Sequence, residues 1–124
     1  MNKWLIGARP RTLPAAIAPV LTATALAYHL NGKIDLLNAF LALLIGILLQ
    51  IGVNYSNDYS DGVKGTDSNR VGPIRLVASG LASANAVKNA ALITYLMGAI
   101  IGLWFSLRTN WLLIIIGLVA IAAA

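Results

Sequence analysis

The sequence predicts an all-α, multi-pass transmembrane helical bundle, and three observations carry that prediction. Hydrophobic residues make up 59% of the 124 and charged residues only 10%, too little charge to cover a soluble domain of this size. Four apolar stretches, at 13–30, 36–56, 86–107 and 111–124, recur along the chain, and the mean hydropathy is +0.80. The basic residues sit at or near the ends of those stretches rather than at their centres.

The first stretch, Leu13 to Leu30, would be about 27 Å long as a helix, close to the roughly 30 Å hydrocarbon core. Pro14 and Pro19 shape its start. Lys3, Arg9 and Arg11 before it also suit a secretory leader, but three further apolar segments follow and favour a retained span. The second and third stretches, Leu36–Ser56 and Ala86–Leu107, would be about 32–33 Å long. Gly46, Gly52, Gly98 and Gly102 along them allow close helix contact, and Gly98-x-x-x-Gly102 fits the small-xxx-small packing pattern. The fourth stretch, Trp111 to Ala124, covers only about 21 Å and runs out in Ile-Ala-Ala-Ala with no polar flank. The expectation is therefore the N-terminal part of a longer transmembrane domain: three helices and part of a fourth.

Charge sets the expected orientation. With the N-terminus cytoplasmic, Lys3, Arg9, Arg11, Lys64, Arg70, Arg75 and Lys88 lie inside and only Lys33 and Arg108 outside, as the positive-inside rule requires. Trp4, Trp104 and Trp111 then fall near the interfaces. The net charge of +5 is thus explained by the lipid bilayer, and nucleic acid is not an expected partner. The absence of cysteine excludes disulfides and thiolate metal sites. The outer connections, 31–35 and 108–110, are short. The inner connection, about 57–85, is long and is the expected active-site loop.

The chain has four acidic residues, all Asp, and Asp58, Asp61 and Asp67 fall within ten positions. Asn54, Asn57, Asp58 and Asp61 follow i, i+3, i+4, i+7 spacing, so they share one face if the second helix continues to Asp61. Gly62 and Gly65 would let the chain leave the helix and return Asp67 toward that face. The physical reason to gather like charges is a hard cation. Mg²⁺ takes one or two carboxylates and fills its remaining sites with water and phosphate oxygens. Between Asn57 and Gly80 the three acids balance Lys64, Arg70 and Arg75, so a bound Mg²⁺ would turn a neutral loop into a cationic, diphosphate-binding one. Acids that merely solvate a loop are the bland alternative, and ionisable residues at a membrane helix end argue against it. Asn54 and Asn57 suit ligand contact or interhelical hydrogen bonds. Arg9, Arg11, Lys64, Arg70 and Arg75 suit phosphate contact or topology, and His29 belongs to the opposite interface.

Three segments, Ala8-Arg9-Pro10-Arg11-Thr12-Leu13-Pro14, Asn57-Asp58-Tyr59-Ser60-Asp61 through Gly65-Thr66-Asp67, and Arg70-Val71-Gly72-Pro73-Ile74-Arg75 to Ser79-Gly80, resemble the UbiA superfamily of intramembrane prenyltransferases, and within it the 1,4-dihydroxy-2-naphthoate polyprenyltransferase branch. The general motif often has its third Asp where this chain has Gly65; here the acid stands at Asp67, which weakens the expected role of Asp67 alone. The resemblance implies a bundle of about nine helices in a bacterial cell membrane, with a second aspartate motif in the other half. It also implies Mg²⁺-dependent transfer of a polyprenyl group from polyprenyl diphosphate to 1,4-dihydroxy-2-naphthoate, in menaquinone synthesis, with loss of CO₂ and diphosphate. Asp58 and Asp61 are the expected catalytic pair, and Asp58, Asp61 and Asp67 the expected metal ligands. Asn54, Asn57, Lys64, Arg70, Arg75, Arg9 and Arg11 are the expected substrate contacts. Rival readings are the same chemistry on 4-hydroxybenzoate, homogentisate or haem, a divalent-cation transporter, or a helical assembly subunit without chemistry of its own.

Overall fold

The computed structural model describes residues 2–65 and 71–124. Five α-helices follow in order: α1 (Lys3–Ala8), α2 (Pro14–Asn31), α3 (Leu36–Lys64), α4 (Ala84–Arg108) and α5 (Leu113–Ala123), with a 3₁₀ turn at Pro10–Thr12 between α1 and α2. There is no strand among the described residues.

Local chemistry explains most boundaries. Asn2 caps α1 by accepting from the Trp4 N–H, and Pro14 opens α2 at a position where the missing N–H is harmless. Gly32, left-handed at φ 67°, closes α2 by returning its N–H to Tyr28 O. The Asp35 carboxylate accepts from Asn38 N at 3.0 Å to start α3, and Ser83 does the same for α4 through Ala86 N. Asn110 accepts from Leu112 N at 3.0 Å, so Trp111 and Leu112 form a turn. The fourth helix accordingly begins at Leu113 rather than Trp111.

Both α3 and α4 are long and apolar enough to cross a membrane, and α1 with its turn forms a third candidate span with α2, bent by 47° at the join. The chain is an integral membrane protein. At 29 residues, α3 is about 44 Å long, more than the roughly 30 Å hydrocarbon core. It runs past the predicted end at Ser56 and stops only at Gly65, left-handed at φ 70°, whose N–H returns to Asp61 O. The helix therefore carries Asp58 and Asp61, inside the stretch 57–85 expected as a loop, and meets the condition on which their shared face depends.

Gly52 is the close-contact point of the α3–α4 pair: a Cβ there would lie 2.6 Å from the Tyr95 ring and 3.0 Å from Thr94 Oγ1. Gly98 packs on Leu48 and Leu49, and Gly46 on Ala16 of α2. A Cβ on Gly102 would meet nothing within 4 Å, so of the Gly98-x-x-x-Gly102 pair only Gly98 lies in packing contact among the described residues. Gly102 instead borders an apolar cavity of about 500 Å³ between α3, α4 and α5, toward the N-terminal end of α3, lined by Ile45, Leu49, Phe105 and Ile114 among others.

Candidate active site at the C-terminal end of α3

A small core of Ala8, Tyr55, Leu76, Val87 and Ala91 joins α1, α3, α4 and the 71–82 segment, with Trp4, Ile51, Tyr59 and Val77 packed against it. The core fixes what surrounds the aspartates. Residues 75–80 make a single turn, with Ser79 N donating to Arg75 O and Gly80, left-handed at φ 74°, donating to Val77 O. Val77 seats this turn directly on α3 at Gly62, where a Cβ would come within 2.4 Å of Val77 Cγ1. Gly62 is thus a packing notch inside the helix, and Gly65 alone provides the exit that the sequence had assigned to both glycines.

Asp58 lies in this joint, fully buried. Its Oδ2 accepts from the Leu76 N–H at 2.9 Å. Its Oδ1 is enclosed with no hydrogen-bond partner among the described residues, an expensive arrangement for a carboxylate unless a further group meets it. Asp61, one turn on, is one-third exposed and pairs with the buried Arg75 at 3.3 Å.

Exposure varies around the face as helix geometry demands. At about 100° per residue, Asp58 sits roughly 40° to one side of Asn54, Asp61 roughly 20° to the other, and Asn57 roughly 60° to that same side. Asp58 and Asn54 are buried, Asp61 is intermediate and Asn57 is exposed. The four residues share a face, but its two edges differ: one is sealed against Leu76 and α1, and the other opens outward. Lys64 is exposed beyond Asp61, in the last turn, where a cation complements the helix dipole.

Asn54 is 3% exposed and reaches across to the start of the chain. Its amide donates to Ala8 O at 2.8 Å and to Thr12 Oγ1 at 2.9 Å. Next to it Tyr55 donates to Trp4 O at 2.8 Å, and its ring meets Trp4 edge-on. Between Ala8 and Thr12 stands Arg9, the one non-glycine residue at positive φ among the described residues, at φ 51°. A left-handed residue with a side chain costs about 1–2 kcal/mol, so its surroundings must hold it there. Arg11 is exposed.

Of the expected site residues, the structure brings Asn54, Asp58, Asp61 and Arg75 together and places Asn57 and Lys64 along the open edge. Arg9 stands at the α1–α2 break. Asp67 and Arg70 lie outside the described residues. Among the described residues, no three His, Cys, Asp or Glu side chains converge, so Asp58 and Asp61 are the acidic pair in view. The sequence reading missed the backbone N–H of Leu76, the carbonyl of Ala8 and the hydroxyl of Thr12. Only Thr12 carried a signal, as a hydroxyl three residues after Arg9.

Residues 16–124 match the model of the UbiA prenyltransferase family. The chain belongs to that family. Curated UbiA relatives agree along nearly the whole chain. It is 49% identical over 122 residues to "1,4-dihydroxy-2-naphthoate octaprenyltransferase" of Mycobacterium tuberculosis (strain ATCC 25618 / H37Rv), covering 98% of this chain and 41% of that protein. The protein of the same name from Escherichia coli (strain K12) is 44% identical over 101 residues, 81% of this chain and 32% of its own length. That from Bacillus subtilis (strain 168) is 36% identical over 117 residues, 92% of this chain and 37% of its own. The chain therefore spans about two fifths of the length of the UbiA relatives it matches. No solved structure matches it.

Proposed function

We propose that this chain supplies the donor-binding half of a Mg²⁺-dependent prenyltransferase that moves a polyprenyl group from polyprenyl diphosphate to 1,4-dihydroxy-2-naphthoate, giving demethylmenaquinone, CO₂ and diphosphate. The single observation that carries this reading is the buried Asp58, with one oxygen held by Leu76 N–H and the other without a partner among the described residues. The relatives' shared name supports the acceptor and an octaprenyl-type donor.

The donor set suits the metal. Carboxylate oxygens of Asp58 and Asp61, one helical turn apart, are hard ligands of the kind Mg²⁺ prefers, and an enclosed lone oxygen is where a cation would offset the cost of burial. Asp67 is the proposed third ligand. When bound, the metal would neutralise charge on the departing diphosphate.

The chain's own residues do the rest. Leu76 N–H and the surrounding core hold the Asp58 carboxylate in one orientation, so no reorganisation is needed when charge develops. Arg75 pairs with Asp61, and Arg75, Arg9, Arg11, Lys64 and Arg70 are the proposed contacts to phosphate oxygens. Asn57, on the open edge, is positioned to meet substrate. The apolar faces of α2, α3 and α4 exclude the water that would trap an allylic cation. In this reading the protein lies in a bacterial cell membrane, with the N-terminus and the Asp58 end of α3 cytoplasmic, an orientation that the seven-to-two split of basic residues supports.

The test is transfer from radiolabelled polyprenyl diphosphate by the full-length protein in liposomes. Naphthoate, 4-hydroxybenzoate, homogentisate and haem are offered in turn, with Mg²⁺ or with excess EDTA. Product with the naphthoate alone, lost in EDTA and restored by Mg²⁺, is expected. Equal turnover in EDTA, or preference for another acceptor, overturns the reading.

A further inference from the structure

We infer that Asn54 is a positioning residue, one that acts on the prenyl diphosphate through Arg9 rather than by touching it. The inference rests on the proposal above that Arg9 contacts the diphosphate. Three observations support it.

The first is the strain at Arg9. It is left-handed at φ 51°, ψ 71° and precedes Pro10, a neighbour that restricts the preceding residue toward extended backbone. A chain that only needed to bend between α1 and α2 would place glycine or an extended residue here. Strain kept on a basic residue at the α1–α2 break points to a demand on where that side chain goes.

The second is the set of bonds that holds the strain. Arg9 N donates to Ile6 O, and Arg9 O accepts from both the N–H and the hydroxyl of Thr12, each at 2.9 Å. Asn54 ties the two flanks together from more than forty residues away, through Ala8 O on one side and Thr12 Oγ1 on the other. The Thr12 hydroxyl gives its proton to Arg9 O while its oxygen accepts from Asn54, so one side chain links both. With its amide donors engaged at the break and 3% exposure, Asn54 is placed to hold backbone rather than to meet a ligand.

The third is location. Ala8 packs in the same core as Leu76, whose N–H holds Asp58, and a Cβ on Gly7 would collide with Leu76 and Tyr55. The Nε and one terminal nitrogen of Arg9 lie out of solvent contact. The break that Asn54 fixes thus adjoins the core that carries the Leu76 N–H bond to Asp58. Loosening it would move the Arg9 guanidinium without removing it.

The experiment is steady-state kinetics on the full-length enzyme, with donor and acceptor varied separately. Asn54→Ala should raise the KM for polyprenyl diphosphate about tenfold and leave the acceptor KM within about twofold. Thr12→Val should raise donor KM several-fold, and Thr12→Ser, which keeps the hydroxyl, should restore the wild-type value. In an Arg9→Gln background, Asn54→Ala should add less than about twofold, since the residue it positions is gone. Full, multiplicative effects of Asn54→Ala and Arg9→Gln, or a fall in kcat with donor KM unmoved, overturn the inference. If Asn54→Ala does not fold, the Thr12 pair decides: equal donor KM for Val and Ser variants overturns it. Arg9→Gln with unchanged donor KM would instead overturn the role proposed for Arg9, a separate result.

Discussion

The two ends of the α3–α4 pair both carry acids and bases, and they treat them in opposite ways. At the N-terminal end of α3, Arg108 reaches Asn38 at 3.0 Å and Asp35 at 3.7 Å, with the Arg108 and Asp35 side chains 39% and 52% exposed. At the C-terminal end, Arg75 and Asp61 are 9% and 33% exposed and Asp58 is wholly buried. An exposed pair is screened by water and costs little to form. A buried carboxylate, one of whose oxygens has no partner among the described residues, costs far more. Membrane topology needs charges only of the first kind. Charges of the second kind mark the end of the pair where the proposed function puts its metal and diphosphate.

The largest test of this contrast separates the charge of Asp58 from its hydrogen bond. Asp58→Asn keeps an oxygen for the Leu76 N–H but removes the negative charge, so the 75–80 turn should stay docked and the full-length protein should remain inserted. Prenyl transfer should nevertheless fall by about 10²–10³-fold or more. Wild-type turnover by this variant would show that Asp58 serves only to hold the turn. Asp58→Leu removes both charge and hydrogen bond, and should in addition make the 71–82 segment open to protease.

Arg75 should matter by a smaller factor. Arg75→Met leaves Asp61 without this partner and removes one guanidinium from the proposed donor site, so donor KM should rise about tenfold. Arg75→Lys should recover only part, because an ammonium cannot make the planar two-pronged contact. Equal kinetics for Met and Arg at this position would assign the Asp61 pair to structure alone.

A third variant probes the seating of the turn rather than its charges. In Gly62→Ala the new Cβ would fall 2.4 Å from Val77 Cγ1, so Val77 or the turn must shift, at a cost of about 1–3 kcal/mol. Thermal unfolding in detergent should show the loss, and turnover should drop several-fold as Leu76 moves from Asp58. Pairing it with Val77→Ala should restore much of both. A Gly62→Ala protein as stable as wild type would mean that the turn is not held against α3 at this point.

The membrane helices and the aspartate face were readable in the sequence because both are local periodic patterns. Apolar runs of membrane length marked α2, α3 and α4, and the spacing of Asn54, Asp58 and Asp61 placed them on one side of a helix. Hydropathy reports where lipid ends, not where the backbone stops being helical, so it ended the second helix at Ser56 although the helix persists to Lys64. The six residues of α1 carry too few apolar positions to show a period. Most hidden were the partners. Leu76 N–H is 18 positions from Asp58, and Ala8 O is 46 from Asn54. Backbone groups carry no residue-type signal, so these bonds appear only once the chain is folded. That is also why the sequence leaves Asn54 open between ligand contact and interhelical hydrogen bonds, while the fold shows it bonded to Ala8 O and Thr12 Oγ1.

The smallest expected effect belongs to the opposite end, and it is the control on the whole comparison. Asp35→Asn keeps the cap that accepts from Asn38 N while removing the charge beside Arg108. With both side chains well exposed, the pair should contribute no more than about 1 kcal/mol, and less at high salt. Arg108→Met should behave alike, apart from losing the bond to Asn38. Turnover and both KM values should match wild type in Asp35→Asn, and the unfolding midpoint should shift only slightly. A loss of transfer comparable to that of Asp58→Asn would mean that the two ends are coupled through α3 and α4, and that burial alone does not distinguish the working carboxylates from the rest.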